Sequence, residues 1–447
     1  MSIFDGKRID NSVFKLDIDR MRQGWYSDKY FSNIALMLTE LARTGYCYQG
    51  TSARLDPADL AQGICPGDLE VEMQVFTRRK GKTVVTGVDK SLAMLRHCTG
   101  YADAGTFVDT YKNLEVWAVQ DGDVVTGTGD PTQVEPVMRI RGRYRDFAIL
   151  ETPILGVLTR SSRIATNVYN TLIAARGKPV LFFPARFDAH ELQAADGYAY
   201  NIAVQRFNMD FADKLPRYIS TDAQGDWWAG QGGGTVAHSA IASFFGDTAE
   251  AMLAFSQVLP PSIPRIALVD FNNDCVADSL STARALFERY RASVDAGDLA
   301  DAERYRLYGV RLDTSAALRD VSVQPVGDSS LDMGVNPRLV FNVRQALDAA
   351  WQDWNLPAEW QERAREYCRA IYIVVSGGFN AEKIERFEKL GVPVDSYAVG
   401  SSLFDNHGPT VSDYTADVVR VKVHGRWLDL AKVGRVPCDN PLLQKIS

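Results

Sequence analysis

The chain of 447 residues has no apolar run near the roughly 20 residues that a membrane-spanning helix needs. Its six cysteines are scattered, with no CxxC pair and no histidine at zinc-finger spacing, so we expect reduced thiols rather than a disulfide framework or a zinc module. Residues 3–20 mix charges throughout, which predicts no signal peptide. The net charge of −7 argues against a nucleic-acid-binding surface. These absences predict a cytoplasmic globular protein that binds neither membranes nor nucleic acid.

What the chain does contain is an ordinary globular composition, 46% hydrophobic and 23% charged, at a length that suggests two or three domains. The segment 30–44 predicts a helix, and the extended segments 68–79 and 82–89 alternate like half-buried strands joined near residues 79–83. Turn signals followed by a helical pattern predict a further helix within residues 332–354.

Short apolar runs ending in polar or glycine residues dominate the second half of the chain. They are KPVLFFPAR (178–186), GGGTVAH (232–238), RIALVDFNND (265–274), LYGVRLDTS (307–315), AIYIVVSGG (370–378) and SYAVGSS (396–402). Helix-like segments separate several of them, most clearly NAEKIERFEKLG (380–391), which is typical of parallel βαβ units. The alternation in residues 415–435 instead predicts antiparallel strands that pair with the N-terminal β region.

These patterns predict an α/β fold, an irregular TIM-like barrel of residues 151–410. A β-rich domain would be formed by residues 1–150 and completed by residues 411–447. In parallel α/β folds, function gathers where the strands end at their carboxyl side. The polar and glycine residues at those positions are Arg186, His238, Asp270, Asn273, Arg311, Asp313, Ser376, Gly377, Gly378 and Gly400.

Two small-residue loops are candidates for binding a phosphate. Ser376–Gly378 precedes a helix predicted to start near Asn380, and free backbone N–H groups at such a start favour an anion. Gly400–Ser402 offers a second such loop on the same side. Taken alone, a Gly-Gly pair is more often a tight turn between strand and helix.

The charged residues suggest a flat, anionic ligand. Arg311 and Asp313 point to one face of a strand, and together with Asp270 they suit a magnesium-bound pyrophosphate or ribose hydroxyls. The alternative is a structural ion-pair layer. Arg186 can pair with a planar carboxylate, and Phe183 offers a ring to stack on, although such a phenylalanine is more often core.

Thr235 directly follows the glycine-rich segment 232–234, and His238 lies three residues after Thr235. Either the glycines only turn the chain and His238 packs, which is the commoner case, or they give a phosphate room beside a reactive imidazole.

The order of these motifs resembles the nicotinate phosphoribosyltransferase family of type II phosphoribosyltransferases, over most of the chain. The matching segments are SDKYF with Asp28 and Tyr30, ETPILGVLTRSSRIAT (151–166), LFFPARFDAH, GGGTVAHSAI, IALVDFNND, YGVRLDTS, VVSGGFNAEKI, VDSYAVGSSL, SDYTADVV and AKVGR.

The resemblance implies transfer of a 5-phosphoribosyl group from phosphoribosyl pyrophosphate to nicotinate, with Mg²⁺ and a probable ATP co-substrate, in a homodimer with shared active sites. It implies that Phe183 and the partner's Tyr30 sandwich the base, and that Arg186 and Arg311 hold anionic groups. It further implies that His238, in a Gly-Thr-x-x-His segment that includes Thr235, is phosphorylated. Asp270 and Asp313 would contact the ribose or the pyrophosphate. The 5′-phosphate would be bound by Ser376, Gly377, Gly378, Gly400, Ser401 and Ser402.

Three departures keep rival functions open. Phe187 replaces a second arginine of many members, Ala316 replaces an acid, and Asn273 replaces an aspartate of some. Nicotinamide is the alternative substrate, and Asp222 is a candidate to favour its amide. A catalytically inactive nucleotide-binding regulator is a further alternative.

Overall fold

The computed structural model describes residues 5–447. The elements up to residue 150 are α1 (Ile18–Arg22), α2 (Lys29–Arg43), α3 (Pro57–Ala61), β1 (Glu70–Thr77), β2 (Gly81–Val84), α4 (Val88–Cys98), β3 (Gly100–Asp103), β4 (Thr106–Asp109), β5 (Glu115–Ala118), β6 (Val124–Gly127) and β7 (Met138–Arg143). Then follow α5 (Glu151–Ala174), β8 (Val180–Phe182), α6 (Gln193–Phe211), α7 (His238–Ser243), α8 (Thr248–Val258), β9 (Arg265–Leu268), α9 (Cys275–Asp295), α10 (Leu299–Arg304), β10 (Leu307–Leu312), α11 (Ser329–Asp332), α12 (Pro337–Ala349), α13 (Ala358–Arg369), β11 (Tyr372–Val375), α14 (Ala381–Lys389) and β12 (Ser396–Val399). The chain ends with β13 (Tyr414–Val423), β14 (Arg426–Asp429) and β15 (Gln444–Lys445).

The chain forms two compact units. Unit 1 comprises the residues up to Tyr169, Tyr198–Phe211 and Asp405–Ser447, and unit 2 comprises Asn170–Gly197 and Ala212–Phe404. No helix of the described residues is long and apolar enough to cross a bilayer.

Unit 1 is built on a six-stranded sheet in the order β14-β13-β1-β7-β5-β15. Strand β13 runs antiparallel to β1 over the full length of β1, which confirms the predicted pairing of the two terminal regions. Residues 78–80 join β1 to β2 as expected, but the expectation that β1 is half-buried is wrong, and the two joined strands do not pair with each other. Strand β1 pairs with β13 and β7, whereas β2 pairs with β6, and every residue of β1 after Glu70 is buried.

Both faces of β1 are covered. The alternation of apolar and polar residues along β1 therefore does not correspond to one buried face and one exposed face. Val71, Met73 and Val75 pack into the hydrophobic core of unit 1. On the other face the carboxylate of Glu72 accepts hydrogen bonds from Arg141 at 2.6 Å and from Arg420 at 2.8 Å. A buried charge is tolerated when it is paired in this way.

Unit 2 contains the predicted parallel sheet, in the order β8-β12-β11-β10-β9. Parallel bridges from Phe182 to Ile219 and from Ile219 to Gly232 extend it beyond β8. The spatial order of these strands thus follows their order in the chain, but among residues 5–447 the bridges do not close the sheet into a barrel. In the described residues no bridge joins Gly232 to β9. Segment 232–238 is therefore not the strand we expected, because consecutive glycines offer no side chains to pack and disfavour an extended ladder.

The predicted helices are present with small shifts at their ends. Helix α2 covers most of 30–44, and α14 begins directly after its N-cap Asn380, as expected. The helix predicted within 332–354 is α12, which starts at Pro337 because the Asn336 side chain accepts a hydrogen bond from the Leu339 N–H and proline suits a first helical position.

Candidate active site

Unit 2 collects polar side chains where its parallel strands end. Asp313 follows β10 directly, Ser376 follows β11 directly, and Gly400 follows β12 directly, while Asp270 comes two residues after β9. Because β9, β10, β11 and β12 are neighbours in one parallel sheet, these residues lie along a single edge.

His238 and Asp270 form a hydrogen-bonded pair, with 2.9 Å between His238 Nε2 and Asp270 Oδ1. The aspartate side chain is 9% exposed and the histidine side chain 47% exposed. Burial raises the pKa of Asp270, and the hydrogen bond with His238 opposes that rise. If Nε2 carries the proton toward the carboxylate, Nδ1 is left with its lone pair and can act as acceptor or nucleophile.

Arg311 is the penultimate residue of β10 and therefore lies near this edge of the sheet. Its Nη2 donates to the Val236 carbonyl at 3.4 Å, while its Nε is buried without a hydrogen-bond partner in the described residues. Burial lowers the pKa of Arg311, opposed by the charges of Asp313 and Asp270. A buried guanidinium nitrogen without a hydrogen-bond acceptor lowers stability, and an anionic ligand with two oxygens would supply the missing acceptor.

Asp313 is tied to the next strand by a hydrogen bond. The Ser376 hydroxyl donates to Asp313 Oδ1 at 2.8 Å and lies 3.2 Å from the Leu312 carbonyl. Gly377 has a φ of 84°, and a Cβ added there would lie 3.3 Å from Asp313 Oδ1. The turn after β11 therefore needs glycine for both its backbone conformation and its close approach to the carboxylate.

The two predicted phosphate loops are linked to each other. The Ser402 hydroxyl donates to the Phe379 carbonyl at 2.8 Å, which joins Gly400–Ser402 to the loop that precedes α14. Gly378 has a φ of 68°, and nothing lies within 4 Å of where its Cβ would be. The loop is therefore open at that position and could admit an anion to the N-terminus of α14.

Arg186 and Phe183 follow β8, as the sequence indicated. Arg186 is exposed, with its guanidinium carbon 5.5 Å from the ring centroid of Phe187. Phe183 is partly buried, and its N–H donates to the Val399 carbonyl at 2.9 Å. The ring of Phe187 lies against Gly400, where a Cβ would be only 2.7 Å from it. This contact was not foreseen.

Thr235 and Tyr30 complete the predicted set. Thr235 is half-buried in the irregular segment before α7. Tyr30 lies in unit 1, near the start of α2, with its side chain 58% exposed and its hydroxyl 3.4 Å from Asp28 Oδ2. It is not among the residues that the edge of the unit 2 sheet brings together.

Sequence reasoning missed Lys383 in the first turn of α14. Its ammonium donates to the Gly377 carbonyl at 3.4 Å and lies 4.1 Å from the Phe379 ring centroid. Burial, together with the nearby charge of Arg386, lowers the pKa of Lys383 to about 8. Its position three residues after the N-cap Asn380 was the available signal, because the first helical turn faces the loop before it.

Two residues that the sequence singled out have local backbone roles. Asp222 Oδ1 accepts a hydrogen bond from the Gly232 N–H at 2.9 Å and so supports the glycine-rich segment. Asn273 has a φ of 56°, a conformation in which asparagine is several-fold enriched, and its amide donates to the Arg319 carbonyl at 3.0 Å. The contact of Asp222 gives that side chain a structural role, whereas Asn273 Oδ1 is buried without a hydrogen-bond partner among the described residues.

Comparisons with known proteins agree with this fold. Residues 51–162 match the family model described as the N-terminal domain of quinolinate phosphoribosyl transferase. Nicotinate phosphoribosyltransferase 1 of Arabidopsis thaliana is 24% identical over 351 residues, which cover 73% of this chain and 57% of that protein. The chain thus spans little more than half the length of that curated relative.

Solved structures share the fold. Nicotinate-nucleotide pyrophosphorylase from Pyrococcus furiosus superposes with a TM-score of 0.60 at 23% identity, covering 94% of this chain and 79% of that one. Human nicotinic acid phosphoribosyltransferase superposes with a TM-score of 0.55 at 17% identity, covering 88% of this chain and 74% of that one. These comparisons are consistent with the type II phosphoribosyltransferase family that the motifs resemble, and the solved structures show that the chain shares their fold.

Proposed function

We propose that the protein is a nicotinate phosphoribosyltransferase of NAD biosynthesis. It would transfer the 5-phosphoribosyl group of phosphoribosyl pyrophosphate to the ring nitrogen of nicotinate, giving nicotinate mononucleotide and pyrophosphate. The observation that carries the proposal is Arg311 on β10, whose buried Nε has no hydrogen-bond partner in the described residues. The ends of the same parallel strands also carry the hydrogen-bonded pairs His238–Asp270 and Asp313–Ser376. A polyanionic sugar substrate requires a cation, carboxylates for its hydroxyls or metal ion, and loops that bind phosphate.

The chemistry is mainly electrostatic. Breaking the bond between C1 and pyrophosphate develops positive charge on the ribose and negative charge on the leaving group. Arg311 would stabilise the departing pyrophosphate, and Asp313 would hold the ribose hydroxyls or the metal-bound pyrophosphate. The loops at Ser376, Gly377, Gly378, Gly400, Ser401 and Ser402 would bind the 5′-phosphate, with their N–H groups oriented before the substrate arrives.

Mg²⁺ fits the donors that are present. It favours carboxylate oxygens and substrate phosphates, often with only one or two protein ligands. Asp270 and Asp313 supply such oxygens, although the described residues contain no cluster of three or more metal-ligating side chains. When bound with pyrophosphate, Mg²⁺ would neutralise part of the leaving group's charge.

Binding of nicotinate would use the residues after β8. The guanidinium of exposed Arg186 would pair with the carboxylate of nicotinate, and Phe183 would stack on the pyridine ring. We further propose a cytoplasmic homodimer, as the family resemblance implies, in which the partner subunit's Tyr30 covers the other face of the base.

We also propose that ATP drives turnover through His238, which would make the enzyme a ligase in classification. With Nε2 hydrogen-bonded to Asp270, Nδ1 is the nitrogen that can attack the γ-phosphorus of ATP. A phosphate would bond to Nδ1 as ADP leaves, and water would later cleave that bond and release inorganic phosphate. The loop 232–234 would give room for these phosphates.

The test is product formation from phosphoribosyl pyrophosphate and Mg²⁺, with nicotinate or nicotinamide, with and without ATP. Nicotinate mononucleotide is the expected product, and its formation should be stimulated by ATP. Product from nicotinamide alone would reassign the substrate and direct attention to Asp222. Tight nucleotide binding without product from either base would indicate that the protein is a nucleotide-binding regulator and not an enzyme.

A further inference from the structure

Two cysteine side chains of unit 1 face each other across a surface loop. Cys47 lies just after α2, and Cys65 lies just before the short turn at Pro66–Asp68 that leads into β1. Their Sγ atoms are 3.9 Å apart, and both side chains are exposed. The sequence separation of 18 residues, with no CxxC spacing, gave no sign of this pairing.

Backbone contacts on both sides hold the two thiols in place. The Tyr48 N–H donates to the Ile64 carbonyl at 2.8 Å, so the chain segments beside the two cysteines are directly joined. On the other side, Gly67 sits so close to α2 that an added Cβ would lie 2.4 Å from the Ala42 nitrogen and 2.5 Å from the Leu38 carbonyl oxygen. The 3.9 Å distance is thus set by the packing of the turn on α2, rather than by two free side chains meeting on a loop.

The chemistry of the pair favours a disulfide over a metal. A stable zinc or copper site needs three or four ligands, and the described residues contain no cluster of three or more metal-ligating side chains. A disulfide needs only that the sulfur atoms approach to about 2.05 Å, a movement that rotation of two exposed side chains can supply. Exposure also gives a small oxidant access, which the buried Cys98, Cys275 and Cys368 lack.

We propose that Cys47 and Cys65 are a reversible dithiol–disulfide pair that locks the loop 48–64 when it is oxidised. The oxidant would be a low-molecular-weight disulfide. One cysteine thiolate attacks it, releases one small thiol and forms a mixed disulfide. The second cysteine then attacks the protein sulfur of that mixed disulfide and releases the other small thiol, so two protein thiols are oxidised while one small disulfide is reduced.

Oxidation would change the mobility of one defined segment. The new bond would close a loop of 17 intervening residues and fix the C-terminal end of α2 to the turn before β1. Closing a loop of this length restricts the unfolded chain, so we expect the melting temperature of unit 1 to rise by about 5 °C. Because the neighbouring Cys47 raises the pKa of Cys65, exchange should become faster as the pH is raised from 7 to 9.

The test is equilibration of the full-length protein with mixtures of reduced and oxidised glutathione, followed by alkylation, trypsin digestion and mass spectrometry. Cleavage after Arg43, Arg54 and Arg78 leaves Cys47 in the peptide 44–54 and Cys65 in the peptide 55–78, so the bond appears as a linked pair of peptides. The linked pair should form in monomeric and dimeric fractions alike, and reduction should release it.

Three variants separate the proposal from general oxidation. Cys47→Ser and Cys65→Ser should each abolish the linked peptides and the rise in melting temperature, whereas Cys438→Ser, at a partly exposed thiol, should leave both unchanged. Full alkylation of Cys47 and Cys65 at every glutathione ratio would overturn the proposal. So would bonds that join only separate molecules, or a linked pair that forms without a change in melting temperature.

Discussion

His238 Nε2 lies 2.9 Å from Asp270 Oδ1, a pairing that joins the first residue of α7 to the loop that follows β9. The segment before α7 is irregular and rich in glycine, so this hydrogen bond fixes the imidazole where the backbone alone would leave it loosely held. It also selects which ring nitrogen is available for chemistry.

Replacing Asp270 by Asn should therefore disturb the tautomer more than the position of His238. An amide N–H can donate to Nε2, which would move the proton to Nδ1 and remove the proposed nucleophile. We expect ATP-stimulated turnover to fall on the order of 100-fold. Acid-labile labelling of the protein from γ-labelled ATP should be lost in parallel.

The matched control is Asp295→Asn, at the exposed C-terminal end of α9. It should leave turnover and labelling unchanged. Normal labelling of the Asp270→Asn variant would contradict the assigned role of the pair.

Arg311→Met should separate function from stability. Removing a buried guanidinium whose Nε has no partner should leave the free energy of unfolding unchanged or raise it by about 1 kcal/mol. Turnover should be lost, since the leaving pyrophosphate would lose its cation. Thermal melting and product formation measured on one preparation check both parts.

Arg306→Met provides the comparison, because Arg306 is exposed and forms an exposed ion pair with Glu303 at 3.5 Å. It should retain turnover and stability. An Arg311→Met protein that is strongly destabilised would instead indicate a structural ion-pair layer at this edge.

Substitutions at Gly400 and Phe187 should have non-additive effects on substrate binding. In Gly400→Ala the new Cβ would lie 2.7 Å from the Phe187 ring, so the ring or the phosphate loop must shift. We expect the KM for phosphoribosyl pyrophosphate to rise on the order of tenfold. Adding Phe187→Ala should restore most of that loss, because it removes the clashing ring.

A double-mutant cycle on KM measures this coupling directly. Additive effects of the two substitutions would show that Phe187 does not set the position of the loop, and the contact would then have no functional consequence.

Glu151 gives a pH-dependent prediction for unit 1. Burial, together with the charges of Asp417 and Asp28, raises its pKa to about 7. Its folded pKa lies above its unfolded value near 4.5, so the folded state binds more protons between those pH values and stability falls as pH rises through that range.

Glu151→Gln removes this titration. Relative to wild type, the variant should gain stability steadily from pH 4.5 to pH 7.5, reaching about 1–2 kcal/mol and then levelling off. Melting temperatures of both proteins across that range provide the measurement. A constant difference at every pH would show that Glu151 is charged in the folded protein.

The sequence predicted the fold well where spacing carries the information. The runs at 265–274, 307–315, 370–378 and 396–402 are strands β9–β12 in the predicted parallel sheet, because buried parallel strands need continuous apolar residues. The pairing of the C-terminal strands with β1 was likewise indicated by their alternation.

What the sequence could not supply are contacts between distant positions. Nothing local shows that Phe187 lies on Gly400 or that Cys47 faces Cys65, since both contacts depend on how separate elements pack. The glycine-rich segment 232–238 was mistaken for a strand because its apolar end resembled the neighbouring runs. The assigned roles of the site residues remain predictions.

The central claim is tested most directly by internal competition. Equal amounts of differently labelled nicotinate and nicotinamide are incubated in one reaction with phosphoribosyl pyrophosphate, Mg²⁺ and ATP, and the ratio of the two mononucleotides gives the ratio of kcat/KM values. We predict nicotinate mononucleotide in at least about 100-fold excess, because the guanidinium of Arg186 pairs with a carboxylate better than with a neutral amide. Nicotinamide mononucleotide as the main product, or neither nucleotide, would contradict it.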